Sequence, residues 1–277
     1  MNLQLKGHSG CGLGIKTVNN QLVVEKTSKD RSYNERLVKQ SQKQREFKSD
    51  EFKTPPIISE NYTEDGLFCF MMEYINGEKL SEYFRRIEVT KIPQIAGTLL
   101  SLAPREFAGD EFANPAFDAK IGQLRAQIKE DHGLLDRCFG KLENFDWRYM
   151  ASSSCHGDLT LENVIYKDGD LYLIDFLDSF YDSWMIDFAK LFQDLEAFWS
   201  YRDSGPLDEN LEIRLLIFKD LVLEKLYALT HGRKIVATIY HLLLLNLVRI
   251  IPYARDRKTW QYLSDNLVRL LEIIENL

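Results

Sequence analysis

Two short segments constrain the fold of this 277-residue chain more than any other part of it. Residues 156–163 read His-Gly-Asp-Leu-Thr-Leu-Glu-Asn, and residues 173–176 read Leu-Ile-Asp-Phe. Between them, Val164-Ile165-Tyr166 is β-branched and weakly alternating, and Lys167-Asp168-Gly169-Asp170 carries the Asp-Gly signal of a tight hairpin turn. Leu171-Tyr172-Leu173-Ile174 is the return strand. Asn163 enters one strand and Asp175 leaves the other, so antiparallel pairing brings those two ends together. Asp158 stands on the loop just ahead of the hairpin.

Two carboxylates and an amide oxygen held by short connections suit phosphoryl transfer. One carboxylate orients a hydroxyl nucleophile; the other, with the amide, suits magnesium, a hard cation that takes oxygen ligands. His-x-Asp-Leu-x-x-x-Asn followed by a hydrophobic-Asp-Phe segment resembles the protein-kinase-like fold. The His-Gly-Asp form resembles its small-molecule branch, the aminoglycoside phosphotransferases, choline and ethanolamine kinases and related sugar kinases. The resemblance spans roughly residues 5–200. It implies that Asp158 is the catalytic base, that Asn163 and Asp175 are magnesium ligands, and that His156 braces the loop. Two positions depart from regulated protein kinases. Gly157 replaces the Arg that would receive an activation-loop phosphate, and Thr160 replaces the Lys that meets the transferred phosphate. The segment after Asp175 is short and contains no Ala-Pro-Glu.

The nucleotide side is read from the first eighty residues. Gly7-His8-Ser9-Gly10-Cys11-Gly12-Leu13-Gly14 is a glycine-rich loop between two β-like segments, 3–6 and 13–18. Glycines let backbone amides approach phosphates, which makes Ser9, Gly10 and Gly12 candidate nucleotide contacts. Asn19-Asn20 reads as a hairpin turn into a third strand over residues 21–27. The resemblance implies a Lys on that strand pairing with the α and β phosphates; Lys26 is the candidate and Lys29 the fallback. Residues 31–48 read as a helix. The acidic partner expected there is uncertain in place: Glu35 and Glu46 are present, but the position falls nearer Gln40 or Gln42. Residues 67–77 read as an apolar strand running into a Gly-containing connector that resembles the family's hinge. By that resemblance Met72 flanks the adenine pocket, and the Glu73 carbonyl and Ile75 amide bond the base.

Composition bounds the alternatives. Net charge is −7; residues 1–78 carry 11 basic and 11 acidic side chains, and residues 79–277 carry 24 and 31. All the excess negative charge thus sits in the C-terminal part, as a solvated surface or as an attraction for a cationic substrate. No basic stripe points to nucleic acid. Cys11, Cys69, Cys138 and Cys155 show no CxxC or metal spacing and suit a reducing cytosol. Residues 235–251 are apolar but interrupted by His241, Asn246 and Arg249, which reads as a buried core helix rather than a membrane span.

Beyond the hinge the chain reads as helices over residues 79–88, 92–102, 117–130, 134–148, 208–230, 233–251 and 256–276. A further helix opens at Asp187, favoured there by capping and by the helix dipole. The expectation is an α+β, two-lobed protein-kinase-like fold. Residues 1–77 form an antiparallel β N-lobe for the nucleotide, and residues 78–277 form a mainly helical C-lobe with the catalytic loop and substrate site. The expected activity is a cytoplasmic small-molecule kinase using ATP and Mg2+ on a small hydroxyl acceptor (an aminoglycoside, amino alcohol or sugar), with no nucleic-acid or membrane partner. The alternative is a nucleotide-binding pseudokinase or scaffold. A protein kinase is disfavoured by Gly157, Thr160 and the missing activation segment.

Overall fold

The computed structural model describes residues 3–6, 10–104, 115–128, 133–150 and 152–277. The chain divides into two compact units, Met1–Tyr83 with Glu162–Ser179, and Phe84–Leu161 with Phe180–Leu277.

The first unit holds two sheets. Strands β1 (Leu3–Lys6), β2 (Gly12–Val18), β3 (Gln21–Thr27), β5 (Ile57–Tyr62) and β6 (Phe68–Glu73) pair antiparallel in the order β1-β2-β3-β6-β5. Asn19 and Asn20 join β2 to β3 with φ of 49° and 64°, the left-handed pair that a two-residue hairpin turn requires and that Asn tolerates. Helix α1 (Asn34–Glu46) follows a single 3-10 turn at Arg31–Tyr33, so the helix expected over 31–48 begins later. Asp30 caps that turn, accepting from the Tyr33 amide at 3.0 Å. The buried face of α1 is Leu37, Gln40, Ser41 and Gln44, and three of the four are polar. Burial of those groups is offset by hydrogen bonds: Gln44 Nε2 donates to the Pro55 carbonyl at 2.8 Å, and Ser41 Oγ to Glu60 Oε1 at 2.7 Å. Leu37 joins Cys11, Phe68, Phe70 and Met72 in the apolar core of this unit.

The second sheet of this unit has the order β4-β9-β8-β7, built from β4 (Phe52–Lys53), β7 (Glu78–Lys79), β8 (Val164–Lys167) and β9 (Asp170–Leu173). β4 runs parallel to β9, and the other pairs are antiparallel. The β8–β9 turn uses Asp168 and Gly169 at φ of 53° and 95°, as the Asp-Gly pair predicts. Gly77 packs so close to β8 that a Cβ there would lie 2.5 Å from Ile165 Cγ2 and 2.7 Å from the Tyr166 carbonyl; only glycine fits. The helix expected over 79–88 is a single turn, α2 (Leu80–Tyr83), whose last residue stacks on Tyr166 with ring centroids 4.2 Å apart.

The second unit is helical: α3 (Ile92–Leu100), α4 (Pro115–Gln127), α5 (Gly133–Glu143), α6 (Trp184–Ala197), α7 (Glu209–Ala228), α8 (Gly232–Val248) and α9 (Arg257–Glu275). The α5 segment stops short of residue 148: Asp146 caps a separate 3-10 turn at Trp147–Tyr149. α6 opens at Trp184, three residues before Asp187, because Ser183 supplies the N-cap and accepts from the Met185 amide at 3.3 Å. α6 is buried along almost its whole length and packs on α8, where the Phe192 and Tyr240 rings meet at 5.4 Å. Gly232–Tyr253 is long and apolar enough to cross a membrane by length and composition, but 78% of its apolar window is buried inside this unit. It is a core helix, apolar on all sides for that reason.

Candidate active site

The loop ahead of the hairpin is held through its backbone. Asp187, 1% exposed on α6, accepts from the amides of His156 and Gly157, each at 2.7 Å, one on each carboxylate oxygen. Asp194, seven residues further along α6 and fully buried, accepts from the Leu161 amide at 2.6 Å and the Ser200 amide at 2.8 Å. Charge-assisted bonds to amides are among the stronger ones a fold can place. Gly157 sits at φ +90°, a conformation that side chains rarely adopt, so the loop needs glycine there for its shape. His156 is fully buried, and its Nδ1 accepts from the Asp158 amide at 3.2 Å. Nδ1 is therefore the unprotonated ring nitrogen of a neutral imidazole. The Thr160 amide closes the loop on the Asp158 carbonyl at 2.8 Å.

The Asp158 side chain, 30% exposed, has a partner that the sequence reading missed. Lys190 Nζ lies 3.1 Å from Asp158 Oδ1, with the lysine side chain 16% exposed. Asp194 was missed as well. The available signal was periodicity: Asp187, Lys190 and Asp194 stand at i, i+3 and i+7 on α6, one face of a helix.

The remaining candidate groups lie in the first unit. Lys26 is 3% exposed, and its ammonium donates to Gln40 Oε1 at 3.1 Å and forms an ion pair with Asp175 Oδ1. Of the two glutamines left open as its helix partner, Gln40 takes the place; Glu35 instead pairs with Lys39 at 3.2 Å on the exposed face. Lys29, the fallback, lies 5.1 Å above the Tyr33 ring. Asn163 enters the β8–β9 hairpin and Asp175 follows it out at the same end: the Ile174 amide donates to the Asn163 carbonyl at 3.0 Å, and Asp175 comes next at φ +65°. Phe176 is buried against Phe47, with ring centroids 5.3 Å apart.

The end of β6 has a specific feature. The Tyr74 amide donates to the Leu22 carbonyl and the Glu73 amide to the Pro56 carbonyl, both at 3.1 Å. In an antiparallel pair of that type the partner residue returns a donor, but Pro56 has no N–H. Pro56 therefore returns no donor to the Glu73 carbonyl. Met72 is buried beside it and receives Gln44 Nε2 at 3.4 Å. Lys26, Gln40, Gln44, Phe70, Met72, Asp175 and Phe176 line a small cleft. The Ile75 side chain is buried, and its carbonyl accepts from the Gly77 amide at 3.0 Å. Gly10 has φ +75°, Gly12 lies in β2 opposite Thr27, and Ser9 falls outside the described residues.

Among the described residues no group of three or more His, Cys, Asp or Glu side chains gathers as a metal site. The donors present at the hairpin are one amide and one carboxylate. That set fits magnesium, which binds through one or two protein oxygens and completes its shell with phosphates and water. Cys155 is 2% exposed, with its thiol 3.3 Å from Asp182 Oδ1, a buried residue and no nucleophile facing solvent. Arg249 donates to Asn246 Oδ1 at 3.3 Å and lies 5.7 Å from the centre of the Phe180 ring.

The model of the APH phosphotransferase enzyme family matches residues 17–225. No curated protein sequence matches the chain. Among solved structures, a thermostable mutant of aminoglycoside phosphotransferase APH(4)-Ia in ternary complex with AMP-PNP and hygromycin B is similar with a TM-score of 0.60 at 13% identity. The match covers 99% of this chain and 93% of that one. Choline kinase LicA from Streptococcus pneumoniae is similar with a TM-score of 0.55 at 18% identity, covering 100% of this chain and 94% of that one. At such identities the likeness shows the fold: the α+β, two-lobed, protein-kinase-like arrangement that the loop motif implied.

Proposed function

This chain belongs to the APH phosphotransferase enzyme family, and from that premise we propose that it moves the γ-phosphoryl group of ATP to a hydroxyl of a small acceptor: an aminoglycoside, an amino alcohol or a sugar. The observation that carries the reading is the His156–Asn163 loop, whose amides are held by Asp187 and Asp194 while the Asp158 carboxylate stays partly exposed.

In this reading residues 1–77 supply the nucleotide contacts and residues 78–277 the catalytic loop and acceptor side. Glu73 and Ile75 bond the base through backbone, Met72 flanks it, and Ser9, Gly10 and Gly12 approach the phosphates with Lys26. Asp158 accepts a hydrogen bond from the acceptor hydroxyl and aims its oxygen at the γ-phosphorus. The new oxygen–phosphorus bond forms as the bond to the leaving ADP oxygen breaks, and the hydroxyl proton passes to the Asp158 carboxylate. Asn163 and Asp175 would hold magnesium, which when bound offsets negative charge on the phosphates. Lys26 adds a fixed positive charge where the phosphates lie, and Gln40 orients its ammonium by a neutral hydrogen bond.

The test is ADP release in the presence of MgATP against a panel of aminoglycosides, amino alcohols and sugars, with mass spectrometry of the acceptor. Stimulation by one class, with a phosphate added to it, is the expected result. ATP binding with no stimulation by any acceptor would replace this reading with the non-catalytic scaffold, for which the uncharged Gln40 beside Lys26 is the favouring observation.

A further inference from the structure

We propose that Lys190, on α6, positions the Asp158 carboxylate for transfer and supplies at the catalytic loop a cation that the loop itself lacks; this rests on the phosphotransferase reading above. α6 meets the loop along one face. Its carboxylates at 187 and 194 receive the amides of His156, Gly157 and Leu161. Between them on that face, Lys190 directs its ammonium to Asp158 Oδ1 at 3.1 Å. The charge at each position is matched to what lies opposite: anions face amide donors, and the cation faces the carboxylate.

The loop offers no cation of its own. From His156 to Asn163 it contains no Lys or Arg, and Thr160, 6% exposed, occupies the place where the protein-kinase loop carries its Lys. Lys190 brings that charge from a helix instead. It stands three residues from Asp187, so the segment that fixes the loop backbone also fixes the lysine. The lysine stem is largely covered, with 16% of the side chain exposed, which limits the orientations its ammonium explores. A cation held against Oδ1 narrows the orientations the carboxylate explores. Its direction toward the acceptor is then set before the acceptor arrives, which is where the rate advantage of a pre-oriented base comes from.

A role confined to stability predicts loss of melting temperature without a specific kinetic signature. Positioning predicts a split between kcat and KM. The experiment compares the parent protein with Lys190→Met, which keeps the stem, and Lys190→Arg, which keeps the charge. Steady-state hydrolysis of MgATP is the assay, with water as the acceptor. Lys190→Met should lower kcat about 100-fold, within the range for an impaired general base, with KM for ATP within about threefold. Lys190→Arg should recover at least about tenfold of that loss, since it restores the cation. A Lys190→Met kcat within about threefold of the parent overturns the proposal, as does an equal loss in both variants.

A second readout needs no turnover. In the full-length parent the Lys190 ammonium should give a side-chain nitrogen–proton correlation protected from exchange, and Asp158→Ala should abolish it. Rapid exchange in the parent, or a signal unchanged in Asp158→Ala, overturns the pairing even if Lys190→Met does not fold. Absence of transfer by the parent to water and to every acceptor of the panel would count against the phosphotransferase reading, and the ammonium signal would still decide the Lys190–Asp158 contact.

Discussion

The proposed nucleotide side and the proposed catalytic loop hold their polar groups in opposite ways. In the first unit functional side chains bond to one another: Lys26 reaches Gln40 and Asp175, and Asp175 is 42% exposed. In the second unit a buried helix bonds to the backbone of the loop, through carboxylates at 187 and 194 that are 1% and 0% exposed. A side-chain network of the first kind is re-sorted when a charged ligand arrives. A backbone clamp of the second kind is part of the core, and breaking it leaves buried amides without acceptors. Substitutions in the first unit should therefore move binding and turnover more than stability, and substitutions at the clamp should move stability as well.

The largest effect should fall on the base itself. Asp158→Asn should lower transfer by at least about 1,000-fold, roughly 4 kcal/mol, with the fold intact by circular dichroism. Asp175→Ala should also abolish transfer, but magnesium-supported nucleotide binding, read by calorimetry, should survive the first change better than the second. Near-parental turnover in Asp158→Asn would remove the base assignment. Asp187→Ala sharpens the contrast from the other side. It strands the His156 and Gly157 amides and should cost about 3 kcal/mol in chemical denaturation, at about 1–3 kcal/mol per unsatisfied buried donor.

The second unit also has an acid limit. His241 stacks on Phe145 at 3.7 Å, and burial lowers its pKa to about 4 from an ordinary value of 6.5. Folding thus favours the neutral ring: stability is fully present above about pH 6.5 and falls as the pH drops toward 4, because the unfolded chain takes the proton first. The loss should reach up to about 3 kcal/mol and be absent in His241→Phe, as followed by denaturation midpoints across that range. A smaller stability effect should come from Lys26→Met, at about 1–2 kcal/mol, because it strands one buried acceptor, Gln40 Oε1, while Asp175, 42% exposed, is left to solvent. ATP turnover should nonetheless collapse. A destabilisation of Lys26→Met as large as that of Asp187→Ala would break the comparison between the two units.

Much of this architecture is written in local signals. The Asn19-Asn20 and Asp168-Gly169 turns announced their hairpins because two-residue turns demand left-handed residues. The long C-terminal helices followed from periodicity, and α8 from its interrupted apolar run. What escaped depended on distant partners. The buried face of α1 is mostly polar, so no apolar stripe marked Gln40 as the residue beside Lys26. Lys190 looked like any charged residue on a helix, and only the folded loop shows that Asp158 lies opposite it. The grouping of Glu162–Ser179 with the first 83 residues rests on β4 pairing with β9 and β7 with β8. Two-residue strands such as β4 and β7 are too short to carry a pattern.

Proline at position 56 has a consequence of its own. It accepts from the Glu73 amide but, having no N–H, returns no donor to the Glu73 carbonyl where β5 and β6 part. In the nucleotide reading proposed above, a purine amino group would bond that carbonyl without competing with a donor from residue 56.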